Sequence, residues 1–394
     1  MDMQKQYRCL VLLTDMNMGG VTTSAVNFCN GLCERGTQVD ILLMSECQDV
    51  SKHGLSEKIR ILQLGGWPGL WNLGIKTVRK AKNPVKKIGY LLLGGMKKLL
   101  DKKQLWVRVV FGNRKMFSGY DVVVAYRQCQ PCYYFALHNV EAKKKVGFIH
   151  GDLAFMGDIS TWQPLMPQFD AVAYVSDAVK DGFIRHYLEL EKNAVTVYNT
   201  FQTEEIKRKA QLPCDVAFDL NRMNLVTVSR IENEVKGTGR IAPICQLLKE
   251  RYPGRFHWYV VGGGRDLECC KSQAEALDLT DHLTFLGPRN NPFPVLAKAD
   301  LCVLTTFTEA YPMVIGESLI LGVPAVTTRY PAAEEIILDG CNGIIADQSI
   351  ESVFEKISQL FDDRDLYSEI KKTCELFEYD NDRSYKQFWE SIGL

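Results

Sequence analysis

Short apolar runs recur along the chain, each followed by a polar or glycine-bearing turn and then by a stretch with apolar positions three and four apart. The first unit comprises the run "CLVLLT" at 9–14, the loop "DMNMGG" at 15–20, an amphipathic stretch to about Arg35 and a second run, "VDILLM", at 39–44. Runs of this length bounded by turn residues predict buried strands, and the longer period between them predicts a helix, so the opening reads as strand, helix, parallel strand. Further strands are predicted at 121–126, 145–150 and 171–176, and a second series at 224–229, 256–264, 283–287, 301–306 and 323–328. Strand, turn and helix thus repeat in two halves, the doubly wound α/β arrangement whose ligands bind at the carboxyl ends of the strands. At 394 residues the chain exceeds what one core organises, which also predicts two domains and a cleft between them. The boundaries read as an N-terminal domain over 1–200, a C-terminal domain over 201–377, and a closing helix over 378–394 that returns towards the first domain. In that last stretch Tyr385, Phe388, Trp389 and Ile392 share one side.

Composition is ordinary for a globular protein, with 46% apolar and 24% charged residues and 47 basic against 47 acidic side chains. The balance hides an asymmetry. Between Lys76 and Lys115 thirteen Lys or Arg stand against one acid, Asp101, so the remainder of the chain is acidic by the same amount. Within this segment Ile88, Leu92, Met96, Leu99, Trp106 and Val110 fall near helical spacing, with Lys97, Lys98, Lys102 and Lys103 on other faces. Such a surface suits an anionic bilayer; the alternative is a solvated basic helix whose apolar side is core, and Gly89, Gly94 and Gly95 work against a helix at all. Nucleic acid is not an expected partner, because no aromatic-rich recognition motif accompanies the charge.

The apolar run at Cys9–Leu13 is too short for a signal core or a spanning helix. Thirteen scattered cysteines, an odd number, suit a reducing compartment. The expected location is the cytoplasm, with peripheral contact on the inner face of the plasma membrane. Cys129-Gln130-Pro131-Cys132 is a single C-x-x-C pair without a second pair at ligand spacing, so it reads as two free thiols at a strand end and not as a zinc site.

The stretch "FTEAYPMVIGESLILGVPAVTT", residues 307–328, places Glu309 and Glu317 eight positions apart among apolar residues. Pro312 suits a first helical turn, since its fixed φ and missing N–H fit there, and Gly322 suits the stop. The helix is therefore predicted from Pro312 to about Leu321, with Glu309 in the loop before it and Glu317 roughly 7 to 8 Å along its axis. The free N–H groups of Tyr311, Met313 and Val314, together with the helix dipole, make a seat for an anion such as a diphosphate. Ionised carboxylates repel phosphate but accept strongly from hydroxyls, and a sugar joined to a ribose by a diphosphate has that layout. A glutamate complementing the dipole and a second one solvated on the helix face would give the same spacing. Two further stretches favour the donor layout. "SRIENEVKG" puts Arg230 at a strand end and Lys236 six residues on, in a loop where cations can clamp a diphosphate. "VVGGGRD", with Gly263 at its centre, follows a strand and lets backbone approach a ligand, although its glycines lack the dinucleotide spacing.

Taken in order, Arg230, Lys236-Gly237, "VVGGG", "LTFLG" and "TEAYPMVIGESLILGVPAVTT" resemble the donor-binding domain of family 4 glycosyltransferases with the GT-B fold. The resemblance covers most of the chain and is strongest between 224 and 347. It implies two Rossmann-like doubly wound domains facing a cleft, and a hexosyltransferase-type enzyme that retains anomeric configuration. The implied donor is a nucleotide-diphosphate sugar, with UDP preferred, and the acceptor a hydroxyl of a saccharide, lipid-linked, in surface polysaccharide synthesis. By the same resemblance Glu309 contacts hydroxyls of the transferred sugar, Glu317 binds the ribose hydroxyls, and Arg230 and Lys236 hold the diphosphate as it leaves. Backbone around Ala310, Tyr311, Pro312, Met313 and Val314 would bind sugar and phosphate, and the turn from Gly287 to Arg289 would meet the base. Gly19 and Gly20 match the glycine loop that faces donor and acceptor. His150, at the strand end in "FIHGD", falls where family members carry a histidine beside the reacting carbon; a histidine capping a buried strand is the alternative.

The chain departs from the family in one respect: "IENEV" separates Arg230 from Lys236 by one residue more than is usual. No Asp-x-Asp cluster lies near the donor residues, so neither a metal nor a cofactor is expected. Two other activities fit the same architecture, a UDP-sugar 2-epimerase and a non-catalytic nucleotide-sugar-binding partner of another transferase. The first would need acid and base carboxylates around the sugar and no second substrate.

Overall fold

A computed structural model describes residues 6–17, 19–45, 54–72, 83–101 and 105–394. Two wholly parallel sheets carry the chain. The first contains β1 (Arg8–Leu13), β2 (Gln38–Leu43), β3 (Arg60–Gln63), β4 (Phe117–Ala125), β5 (Val140–Ile149), β6 (Ala171–Tyr174) and β7 (Ala194–Thr196), in the order β3-β2-β1-β4-β5-β6-β7. The second contains β8 (Met223–Val228), β9 (Phe256–Val261), β10 (Leu283–Gly287), β11 (Leu301–Leu304), β12 (Ala325–Thr328) and β13 (Gly343–Ala346), in the order β10-β9-β8-β11-β12-β13. In each sheet the chain steps outward from the first strand and then reverses to its other side. The switch points lie between β1 and β4 and between β8 and β11, where the carboxyl ends of the strands leave a crevice.

Helices cover both faces of each sheet, so the central strands read as continuous apolar runs and not as alternating ones. Cys9 through Leu13 of β1 are buried, and helix Gly20–Glu34 lays Ala25, Phe28, Cys29 and Leu32 into the same core. Three strands escape the sequence pattern. β3 is a four-residue edge strand, "RILQ", with three exposed positions, β7 has three residues, and β13 is the four-residue edge strand "GIIA"; β3 is too polar and β7 too short to show as an apolar run. The predicted strand at 256–264 ends at Val261, because its last glycines form the turn.

The final helix, Asn381–Ser391, crosses back to the first domain. Trp389 stacks on Tyr7 with ring centroids 4.7 Å apart, Phe388 meets Phe28 edge-on at 5.1 Å, and the Tyr385 hydroxyl donates to the Asn27 carbonyl at 3.2 Å. The Asn381 side chain pairs with the backbone of Phe201 in both directions, at 2.8 and 2.9 Å, which anchors the link between the halves.

In the basic segment, Lys102 and Lys103 lie outside the described residues. The helix Pro84–Asp101 runs unbroken through Gly89, Gly94 and Gly95. Its Leu93 and Leu100 turn towards the core, whereas Ile88, Leu92, Met96 and Leu99 face outward. Trp106 and Val110 do not share that outward stripe as the spacing predicts. They belong to a separate helix, Trp106–Phe111, and are buried, because that helix turns its apolar side inward. Among the described residues no helix is long and apolar enough to cross a membrane.

Candidate active site

The donor-side helix spans Met313–Ile320, with Pro312 as its N-cap in extended backbone (φ −74°, ψ 110°) and not as its first helical residue. It ends one turn position before the predicted Leu321, and Gly322 follows at φ +71°, a left-handed conformation that suits glycine. The backbone of Tyr311, Met313 and Val314 therefore stands at the helix mouth as the sequence suggests. Ala310 and Tyr311 are buried, and the Tyr311 hydroxyl lies 2.9 Å from that of Tyr379.

Glu309 lies in the loop before this helix, and that loop is laced to the one carrying Lys236. The Thr306 hydroxyl and the Phe307 N–H both donate to the Val235 carbonyl at 2.9 Å, and the Thr305 hydroxyl donates to the Gly237 carbonyl at 3.0 Å. The lacing brings Lys236 Nζ to 2.6 Å from Glu309 Oε1, with both side chains under one-fifth exposed. Each charge thus answers the other. Arg230 is not drawn into this pair. Its side chain is 67% exposed and meets Glu232 at 3.4 Å, so it stands at the rim.

Glu317 is 8% exposed, which removes the alternative of a glutamate solvated on the helix face. Burial raises its carboxyl to about 7, partly opposed by the ammonium of Lys209. A carboxyl kept near neutrality in this way is costly unless a ligand satisfies it.

The glycine run reads differently in three dimensions. A Cβ on Gly262 would strike the Ser229 carbonyl, and one on Gly264 would strike that of Ile231. Two of the three glycines therefore let two protein loops approach each other, where a ligand was expected; Gly263 lies against Pro288, and its carbonyl accepts from the Ile231 N–H at 3.0 Å. Arg289, expected at the base, is ion-paired with Asp215.

On the first domain Gly19 is the N-cap of helix Gly20–Glu34, and a Cβ at Gly19 or Gly20 would meet only open space. His150 follows β5 and packs against both Tyr126 and Phe148, at centroid distances of 4.6 and 5.6 Å. Burial lowers its imidazole to about 3, so it is neutral at physiological pH, and its Nε2 is buried without a hydrogen-bond partner.

Three further residues tie the halves together at this cleft. Asp152 Oδ2 accepts from the Thr308 hydroxyl at 2.9 Å, one residue from Glu309. Asn199 Oδ1 accepts from Ser24 at 2.6 Å, and its amide reaches the Tyr311 carbonyl at 3.5 Å. Glu335 caps helix Asp177–His186 of the opposite domain, accepting from the N–H groups of Asp177 and Ala178 at 2.8 Å each. Asp152 had one sequence signal, its place two residues after His150; Asn199 and Glu335 had none, since both act across the domain boundary.

A family model described as glycosyl transferases group 1 matches residues 222–363. The chain is 25% identical over 171 residues to an uncharacterised glycosyltransferase of Haemophilus influenzae, covering 43% of this chain and 48% of that one. It is also 25% identical over 264 residues to N-acetyl-alpha-D-glucosaminyl L-malate synthase of Bacillus anthracis, covering 65% and 68%. The chain thus spans about half the length of the first relative and about two thirds of the second. It superposes on a TarM point mutant of S. aureus in complex with fondaparinux, α-GlcNAc-glycerol and UDP, with a TM-score of 0.70 at 12% identity over 99% of this chain and 100% of that one. It superposes on Anabaena HepE in complex with UDP and glucose with a TM-score of 0.69 at 18% identity over 98% and 100%. At these identities the superpositions speak to the fold, and the family match speaks to the domain that carries Lys236, Glu309 and Glu317. Residues 222–363 thus match the group 1 glycosyltransferases, and the chain as a whole has the GT-B fold of these structures.

Proposed function

We propose that the protein transfers a sugar, with retention of configuration, from a UDP-sugar to a hydroxyl of a lipid-linked saccharide in surface polysaccharide synthesis. The observation that carries the reading is the Lys236–Glu309 pair at the mouth of helix Met313–Ile320. Thr308, next to Glu309, donates to Asp152, two residues after a neutral His150 whose Nε2 is unpartnered. Lys236 and the helix N–H groups would take the diphosphate and stabilise its charge as the sugar–oxygen bond breaks. Glu309, released from Lys236, would accept from sugar hydroxyls, and Glu317, buried behind the mouth, from the ribose. The acceptor hydroxyl would attack from the face the diphosphate leaves and give its proton to a departing phosphate oxygen. His150, uncharged, is suited to a hydrogen bond with the sugar and not to holding a positive charge. UDP is preferred because UDP occupies the TarM and HepE complexes.

The membrane part of the reading is supported by helix Pro84–Asp101. Val85, Ile88, Leu91, Leu92, Met96 and Leu99 are 48% to 76% exposed along its outer side, with Lys87 and Lys98 exposed beside them. An apolar stripe flanked by lysines matches an anionic leaflet, to which each cation adds about 1 kcal/mol.

A panel of nucleotide sugars, incubated with the protein with and without membrane-extracted saccharide acceptors, tests the proposal. Transfer of labelled sugar from one donor into the lipid fraction is the expected result. Conversion of the donor sugar to its 2-epimer without acceptor would replace transfer by epimerisation, and donor binding with neither product would leave a non-catalytic subunit.

A further inference from the structure

Transfer as proposed makes no use of Cys129 and Cys132. Cys129 is the N-cap of helix Gln130–His138, in extended backbone, with a proline in the first turn. An N-cap side chain stands beside the third helical residue, which here is Cys132. The neighbouring Cys132 thiol holds the Cys129 thiol below its ordinary range, helped by the nearby Arg127 guanidinium and opposed by burial and Asp15. The two residues differ in exposure. Cys129 is partly exposed, whereas Cys132 is buried with its Sγ 3.4 Å from Met44 Sδ, and burial pushes its thiol well up. A partly exposed N-cap cysteine whose thiol is lowered, beside a buried one at the third helical position, has the attributes of a reversibly oxidised dithiol. The pair also lies on the cleft side of its sheet. The loop carrying it leaves the carboxyl end of β4, where Tyr126 stacks on His150 at 4.6 Å and the Gln128 amide nitrogen would stand 3.5 Å from a Cβ on Gly151.

The geometry points to Cys129 and Cys132 as a reversible disulfide site at the acceptor side of the cleft, oxidised by a low-molecular-weight disulfide such as glutathione disulfide. The Cys129 thiolate attacks one sulfur of the oxidant, forming a mixed disulfide and expelling one thiolate. Cys132, losing its proton, then attacks Cys129 Sγ and expels the second. Two electrons pass from the cysteine pair to the oxidant, whose sulfur–sulfur bond breaks, and the two protein protons end on the two glutathione thiols. This inference is independent of the donor and acceptor proposed above.

The full chain is equilibrated across a series of reduced and oxidised glutathione mixtures, quenched with acid, alkylated, and mapped by peptide mass spectrometry. The expected result is a cross-link between residues 129 and 132 that appears in oxidising mixtures and disappears in reducing ones. In Cys132→Ser the expected product is a glutathione adduct on Cys129 in preference to Cys269 and Cys341, which are exposed and serve as internal references. Absence of the cross-link in the parent protein across the whole series overturns the inference, whatever the variant does. So does an adduct pattern in folded Cys132→Ser that favours the two surface cysteines over Cys129.

Discussion

Replacing Glu317 by Gln keeps the volume of the side chain and removes its charge, so the variant isolates what burial does to this carboxyl. The group rises from an ordinary 4.5 to about 7 in the folded protein. At about 1.4 kcal/mol per pH unit this corresponds to about 3 kcal/mol. The sign follows from proton counting. Below the unfolded value both states hold the proton and the carboxyl has no effect on stability. Between the two values the unfolded chain has lost the proton and the folded one keeps it, so stability falls as pH rises, and the loss is complete above about 7.

Glu317→Gln never ionises. Its melting temperature is therefore expected to match the parent near pH 4.5 and to exceed it by several degrees at pH 8.5, since about 1 kcal/mol moves a domain of this size by roughly 2 to 4 °C. Differential scanning fluorimetry from pH 4.5 to 8.5 in ligand-free protein reads the difference. Titrating a nucleotide sugar into both proteins reads the second half of the argument. Parent affinity should rise through pH 7 as Glu317 ionises and accepts from ribose hydroxyls, and the variant should stay flat. A constant offset in melting temperature between parent and variant across the range would refute the reasoning.

Lys236→Ala should lower kcat for transfer by about 100-fold, the scale of losing one group that stabilises developing charge, with a smaller change in melting temperature; equal rates for variant and parent would remove Lys236 from the diphosphate site. Ile88→Glu with Leu92→Glu should abolish flotation with anionic liposomes at low salt and leave the melting temperature unchanged, because both side chains are at least 60% exposed. Flotation of the double variant equal to that of the parent would dismiss the helix as a membrane contact.

The two-sheet architecture is legible because parallel strands buried on both faces must be continuous apolar runs, and runs such as "CLVLL" and "LCVL" cannot be placed elsewhere. Short edge strands such as β3 and β7 lack that signature, since an edge buries too little to require it. The donor helix and its two glutamates were also legible: Pro312 and Gly322 bound the helix through backbone geometry alone, to within a residue at each end. What each glutamate experiences was not. Whether Glu317 is solvated or buried depends on Phe201, packed against Gly316, and on the approach of Lys209 from another helix. The partner of Glu309 depends on two loops, seventy residues apart in sequence, being laced by Thr305, Thr306 and Phe307.

The glycines at 262 and 264 were visible as a need for close approach, but sequence does not say whether ligand or protein does the approaching. Neither does periodicity tell outward from inward, and so Trp106 and Val110, in phase with Ile88 and Leu92, went to the opposite environment on a helix of their own. Local order along the chain follows from backbone sterics and from burying one stripe or face per element. Exposure, charge pairing and the shifted titration of Glu317 and His150 are set by which elements meet across space, and that was decided only by the tertiary fold.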